Sequence, residues 1–282
     1  MKRLAAKLLR GWWHLRGGRS VRTFGHICKF TAETDFPIRP QVKLPGQGPV
    51  SNIVRYADLV QFHAACRFLS ELRRPPVVVD VGAHHGTYAI VLGKLVQKAG
   101  GVLIAIEPNP ESVRVLRENV RMNDLDQTVQ CEQAAVMDVP GETFLDLNGS
   151  QSHVANAAGA QGVRVSVTTL RHILARYAMQ RVDLLLVDVE GAELPVLKGF
   201  PWGDAELDWV LCEMHPYAWA QFGYDGRAMA AFLQERGYRC IDTYLKEHTD
   251  FPDPGYIGPT RLLKAVPDCV LSTSQEAAVT SS

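Results

Sequence analysis

The chain has 282 residues, 46% of them apolar, which is enough for one large domain or two small ones and too apolar for wholesale disorder. Thirty basic side chains balance thirty acidic ones, so the bulk charge offers nothing to a nucleic acid. No apolar run reaches the roughly 18 residues that span a bilayer, and six scattered cysteines without a C-x-x-C pair exclude a disulfide scaffold or structural zinc site and fit a reducing cytoplasm.

Residues 1–32 carry eight basic side chains and no acidic one. Met1–Leu15 places Leu and Trp on one side of a short amphipathic helix. It is either a weak peripheral anchor on an anionic membrane or a docked helix that happens to be basic. Lys7 and Arg10 interrupt its apolar stretch and no small-residue cleavage site follows, so it does not read as a signal peptide. One helix, Tyr56–Leu72, completes an N-terminal cover over residues 1–74. A main domain spans 75–268, and a small, polar tail, 269–282, is expected to be disordered.

From Pro75 the rhythm is that of alternating strands and helices. The expected order is a strand Val77–Val81, a helix Thr87–Lys98 stopped by Gly100–Gly101, a strand Val102–Ile106, a helix Pro110–Met122 and a strand Thr128–Val136. Such alternation predicts a parallel sheet covered on both faces. Glu142–Leu147 and Val163–Val167 break the rhythm as strands of a hairpin or an excursion, joined by Asn148–Gly162. It resumes with a helix Leu170–Ala178, a strand Val182–Val187, a short helix Ala192–Leu197 and a strand Trp209–Glu213. A helix Arg227–Arg236 and strands Tyr238–Asp242 and Leu262–Ala265 close the domain.

The sharpest local signal is Asp80-Val81-Gly82-Ala83-His84-His85-Gly86, between a buried strand and a helix. Glycine there lets backbone approach a ligand closely. A dinucleotide fold would show G-x-G-x-x-G, whereas here the glycines are spaced G-x-x-x-G, two positions after an acid. An acid at the strand end repels a diphosphate and suits a cationic amino-acid tail. The next strand ends in Glu107, placed to accept both hydroxyls of a ribose. A phosphate-free nucleoside that carries an ammonium group is S-adenosylmethionine. Its expected contacts are Asp80, Gly82, Ala83, His84, Gly86 and Glu107. Ala134 and Ala135, small residues at the end of the third strand, leave room for the adenine ring.

With these motifs the chain resembles the FkbM family of S-adenosylmethionine-dependent methyltransferases. The resemblance covers roughly Val77–His215 and rests on the glycine loop, Glu107-Pro108-Asn109-Pro110, RENVRMND (117–124), DLLLVDVEGAELPVLKGF (183–200) and CEMHP (212–216). There are two departures, Leu186 where members commonly carry Lys and His84 where Asn is common; the first bears on the pocket chemistry and neither on the fold. The resemblance implies a seven-stranded class I fold, Rossmann-like and α/β, with helices on both faces. It also implies O-methylation of a hydroxyl on a sugar, a polyketide or another small metabolite. Transfer to nitrogen or to a carboxylate, or a donor-binding fold without turnover, are the other readings.

Asp188, Glu213 and His215 fall at the ends of the fourth and fifth core strands, facing the same crevice as the donor. An alcohol nucleophile needs its proton removed or its pKa lowered. Either His215 does so as a general base held by a carboxylate, or a divalent cation such as Mg²⁺ on Asp188 and Glu213 does. Each residue also has a plainer role. Asp188 can cap the following helix, Glu190 and Glu193 can favour its dipole, and His215 can fill a turn. His153 is a candidate from the loop Ser150–Ala155. Tyr217, Trp219, Phe222 and Tyr224 either line an acceptor pocket or pack on the sheet. Asp253-Pro254-Gly255-Tyr256 resembles an amino-methyltransferase signature, but it lies at the wrong place in the chain and is ordinary turn chemistry.

Overall fold

A computed structural model describes residues 19–23, 26–31, 33–34, 65–146, 153–155, 162–241, 247–248 and 258–264. The basic segment Met1–Leu15, the tail 269–282, Asp253–Tyr256 and the first half of the cover helix lie outside these residues. Of that helix, residues 65–71 are described and are helical.

The main sheet has a parallel part that runs Val129–Glu132, Val102–Ile106, Val77–Val81, Arg181–Val187 and Glu206–Met214. Antiparallel strands Gly258–Lys264, Tyr238–Ile241 and Glu247–His248 extend it. The doubly wound α/β architecture expected from the sequence is present. It has eight strands where seven were expected, and the additional one is the two-residue Glu247–His248. The chain builds outward from Val77–Val81 to one side, then returns to build the other side from Arg181–Val187. The strand order therefore reverses between these two neighbours, and a crevice opens at their carboxyl ends.

The central strands form because their runs of Val, Leu and Ile are buried on both faces; Val77–Val81 is buried along its whole length. One face packs Val79, Val81, Ile104, Ile106, Leu185 and Val187 into a common core. The other packs Val78, Leu103, Ala105, Leu184 and Leu186 against the helix Thr87–Lys98. The helix Pro110–Met122 starts where Asn109 accepts the N–H groups of Glu111 and Ser112, with Pro110 in its first position. At the far end of the sheet, Asp183 is fully buried and accepts from Arg74, Arg181 and the Val77 N–H, so its charge is paired.

The expected strand Thr128–Val136 is in fact two. Val129–Glu132 is the edge of the main sheet, and Ala135–Val136 pairs in parallel with Val163–Thr168 in a second, four-stranded sheet. The ladder ends because its partner strand runs out at Glu107, whose N–H bonds Glu132 O, and the next residue, Pro108, has no N–H to offer. The expected hairpin is present as Gly141–Asp146 against Val163–Thr168, with His153–Ala155 on its free side. An N-terminal hairpin, Arg19–Thr23 against His26–Phe30, was not anticipated. Its Cys28 and Phe30 are fully buried and join the apolar cluster of Ile90, Leu116 and Val120.

Candidate active site

The glycine loop hangs from the neighbouring strand, with the Gly82 and Ala83 N–H groups both donating to Ile106 O at 2.9 and 3.1 Å. Gly82 has φ +86°, and a Cβ there would fall 1.8 Å from Asp188 O. The sequence argument assigned this glycine to close ligand approach. The structure shows a second close neighbour, the backbone of the strand across the switch point, where Asp188 N also bonds Val81 O at 2.9 Å. Gly86 has φ +81° and opens the helix Thr87–Lys98; a Cβ there would meet Leu116 Cδ1 at 2.4 Å.

Asp80 is 3% exposed, and its Oδ2 has no hydrogen-bond partner among the described residues. Burial, with Glu107 nearby, pushes its carboxyl up to about 7. Leaving such an oxygen unsatisfied costs about 1–3 kcal/mol or more, so the group has a donor or cation still to meet. Glu107 is also buried, and each of its oxygens holds one backbone N–H: His84 N on Oε2 at 2.9 Å and Asn109 N on Oε1 at 2.8 Å. Burial still lifts Glu107 to about 6 against those two N–H groups. Each oxygen keeps a second lone pair, so the acid is positioned and not saturated. The loop tip is strained, since His84 is a non-glycine residue at φ +47°. Its ring stacks on His85 at 3.8 Å, and burial, then His84 and Arg114, hold His85 down to about 3, so that ring is neutral. Ala83, Ala134 and Ala135 are buried, Ala135 in the second sheet and not in the main one.

The second constellation meets the first at the Gly82–Asp188 contact. His215, 3% exposed, stands just past the strand Glu206–Met214. Its Nδ1 lies 2.6 Å from Glu193 Oε1. Its Nε2 faces Glu190 at 3.5 Å, Asp188 at 3.9 Å and Glu213 at 4.0 Å. Burial opposes a charge on the ring, but the Glu193 hydrogen bond and the carboxylates of Glu193, Asp188 and Glu190 overcome it and lift the pKa to about 9. Asp188 is recessed in the cleft with 43% of its side chain still reaching solvent. That depth, and then Glu213, hold its carboxyl well above the usual carboxylate range, while His215 pulls the other way. Four carboxyl groups thus surround one imidazole, and Asp188 and the ring both hold protons more tightly than they would alone.

Asp188 does not cap the following helix. That helix starts at Glu193, its cap is Ala192, and no side chain bonds there. Glu193 is fully buried and does more than sit in a first turn. Besides His215 it accepts Gly191 N at 2.9 Å and Trp219 Nε1 at 2.7 Å, and Tyr224 Oη lies 3.1 Å from its Oε2. Trp219 and Tyr224 are therefore supports for this acid, and Trp219 is fully buried. Tyr217 is 45% exposed, with its hydroxyl donating to Glu190 at 2.6 Å. Glu190 itself sits at φ +52°, a strained conformation of the kind that collects at functional sites. Ligand atoms of Asp188, Glu190 and His215 lie within 4.8 Å of one another, so among the described residues the trio with metal-binding geometry contains Glu190 in place of Glu213. His153 begins the edge strand His153–Ala155 of the second sheet.

Sequence reasoning missed the bond between Glu193 and His215. The available signal was two aromatic residues with polar tips, Trp219 and Tyr224, just after His215. When buried, their N–H and O–H need an acceptor, and Glu193 is the nearest unclaimed acid in the motif.

The family model described as the methyltransferase FkbM domain matches residues 80–240. Curated relatives include methyltransferase sdnD of Sordaria araneosa, 28% identical over 177 residues, which cover 51% of this chain and 67% of that protein. Hexuronic acid methyltransferase AglP of Haloferax volcanii is 24% identical over 250 residues, 86% of this chain and 93% of the relative. Among solved structures, methyltransferase FkbM from Methylobacillus flagellatus is 16% identical with a TM-score of 0.43; the similar region covers 68% of this chain and 45% of that one, less than half its length.

Proposed function

The chain belongs to the FkbM methyltransferase family, and on that premise we propose that it moves a methyl group from S-adenosylmethionine to a hydroxyl of a sugar or similar small metabolite. The fold is the class I methyltransferase fold. The observation that carries the donor assignment is the pair of buried acids at adjoining strand ends, Asp80 with an unsatisfied oxygen and Glu107 with one spare lone pair on each oxygen. Two acids in one crevice disfavour a diphosphate and favour an ammonium and two ribose hydroxyls. When bound, the donor supplies an electrophilic methyl on a sulfonium.

The protein's own residues supply alignment and proton transfer. Glu193 accepts the Nδ1–H of His215 and so leaves Nε2 facing the cleft. At rest the ring is an imidazolium. A second cation in the cleft favours the neutral ring, which releases its Nε2 proton to solvent and then accepts the hydroxyl proton at Nε2 as the methyl leaves the sulfonium for the oxygen. Asp188, Glu190 and Glu213 stabilise the imidazolium that results. The same three carboxylates repel a carboxylate acceptor, which favours a hydroxyl over an ester-forming acid. The relative named for a hexuronic acid supports a sugar among the acceptors. Balanced charge supports a small molecule over a nucleic acid, and free cysteines at 28, 66, 131 and 212 fit a cytoplasmic setting. Among the described residues no helix is long and apolar enough to cross a membrane. Contact of residues 1–32 with an anionic surface would be peripheral.

A second reading rests on the Asp188, Glu190 and His215 trio, which suits a divalent cation that would acidify the hydroxyl. One experiment separates the two. The protein is incubated with isotopically labelled donor and uronic-acid-containing oligosaccharides, with and without chelator, and methylated products are read by mass spectrometry. A singly labelled saccharide whose methyl survives mild alkali, as an ether does and an ester does not, with undiminished yield in chelator is the expected result. Loss of product in chelator and recovery with Mg²⁺ would move the proton-lowering role to a cation on the trio. No labelled product from these saccharides or from a metabolite extract would reject the sugar and small-metabolite assignment.

A further inference from the structure

We propose that Asn119 makes the N-terminal strand His26–Phe30 a component of the donor site by tying the residues that follow it, Thr31 and Thr34, to the tip of the glycine loop. The inference rests on the reading of this loop and Glu107 as the donor site.

Asn119 lies on the helix Pro110–Met122 and is fully buried. A buried amide needs partners for two donors and an acceptor, and here all of them lie far away in sequence. Its Oδ1 accepts Thr31 N at 2.8 Å, and its Nδ2 donates to Thr34 Oγ1 at 2.9 Å. The same Nδ2 donates to His85 O at 2.8 Å. One residue before that carbonyl, His84 N donates to Glu107 Oε2 at 2.9 Å. A continuous hydrogen-bonded line therefore runs from Thr31 and Thr34, through Asn119, to the His84–His85 tip and the acid expected to hold the ribose. The tip is the strained segment, with His84 at φ +47°, and it is gripped from both sides.

Asn123, one turn further along the helix, provides the internal comparison. It clamps the same strand, accepting Lys29 N at 2.8 Å and donating to Lys29 O at 2.7 Å. Its remaining bond goes to Asn119 O in its own helix, so it holds the strand without touching the loop. If anchoring the strand were all that mattered, the two asparagines would be equivalent. The line through His85 makes Asn119 different. Because coupling between sites is reciprocal, an occupied donor site should also steady the strand.

The test uses the full chain and S-adenosylhomocysteine as probe, with affinity read by calorimetry and hydrogen exchange read at the Thr31 amide. Asn119→Ala is expected to weaken binding about tenfold, the scale of one lost buried hydrogen bond, whereas Asn123→Ala should stay within about twofold. If Asn119→Ala fails to fold, Thr34→Val, which cuts the line one link earlier, should weaken binding about threefold. In the wild type, saturating probe should slow exchange at Thr31. Unchanged affinity in Asn119→Ala, equal losses in the two alanine variants, or Thr31 exchange indifferent to the probe would each overturn the proposal while leaving the donor site intact. A wild type that does not bind the probe would overturn the donor reading and this proposal together.

Discussion

Replacing His215 with Gln is expected to lower kcat by about 10²–10⁴, the usual contribution of a positioned proton acceptor, with S-adenosylhomocysteine affinity changed by less than about threefold. Gln is the informative replacement because its amide still offers an N–H to Glu193. That carboxylate is fully buried and already holds Gly191 N and Trp219 Nε1, so stripping its His215 partner outright would confound catalysis with folding. What Gln cannot do is accept a proton. The variant should therefore lose turnover and also the pH-dependent limb of the rate profile that reports the ring. Steady-state kinetics across pH, beside calorimetry of the donor product, separate the two effects. Normal turnover in the variant would remove His215 from the chemistry and leave the Asp188, Glu190 and Glu213 carboxylates as mere neighbours of an inert ring.

Glu107→Ala carries the second large effect, on binding and not on chemistry. Two ribose hydroxyls on one carboxylate are worth about 1.5–3 kcal/mol each as charge-assisted bonds, and losing even one weakens affinity about tenfold. The variant also frees the N–H groups of His84 and Asn109, which now anchor the loop at 2.9 and 2.8 Å. Affinity for S-adenosylhomocysteine should fall at least tenfold and approach a hundredfold, with kcat at saturating donor far less affected. Calorimetry reads the first and saturation kinetics the second. Unchanged affinity would mean that the ribose lies elsewhere.

Much of this architecture can be read from local pattern because local pattern is what burial dictates. Val77–Val81, Thr87–Lys98, Val102–Ile106 and Pro110–Met122 match their expected bounds, since each is a run of one periodicity closed by glycine, proline or a cap. Thr128–Val136 does not match, because nothing in its own residues says that the neighbouring strand ends at Glu107 and Pro108. The N-terminal hairpin stayed hidden for a similar reason. His26–Phe30 buries only Cys28 and Phe30 and is held from across the fold, by Asn123 at Lys29 and by Asn119 at the next residue, Thr31. At the site, the candidate acids and His215 are visible as motif residues at strand ends. Their pairing is not, because Glu193 and His215 are 22 positions apart and meet only when two strands lie side by side. Gly82 is visible as a constraint, but its contact, Asp188 O, is a property of the sheet.

The most direct test of the whole account is calorimetric titration of the wild-type chain with S-adenosylhomocysteine and with NAD⁺, at pH 8 and again at pH 6. Asp80, raised to about 7 in the free protein, must be ionised to meet an ammonium group. Below that pH, binding has to expel a proton, so affinity falls as the pH falls, by up to about tenfold per unit, and is fully developed above it. The account predicts one saturable site for S-adenosylhomocysteine, several-fold weaker at pH 6 than at pH 8, and no site for NAD⁺. Silence with S-adenosylhomocysteine at both pH values, or equal binding of the dinucleotide, would contradict it.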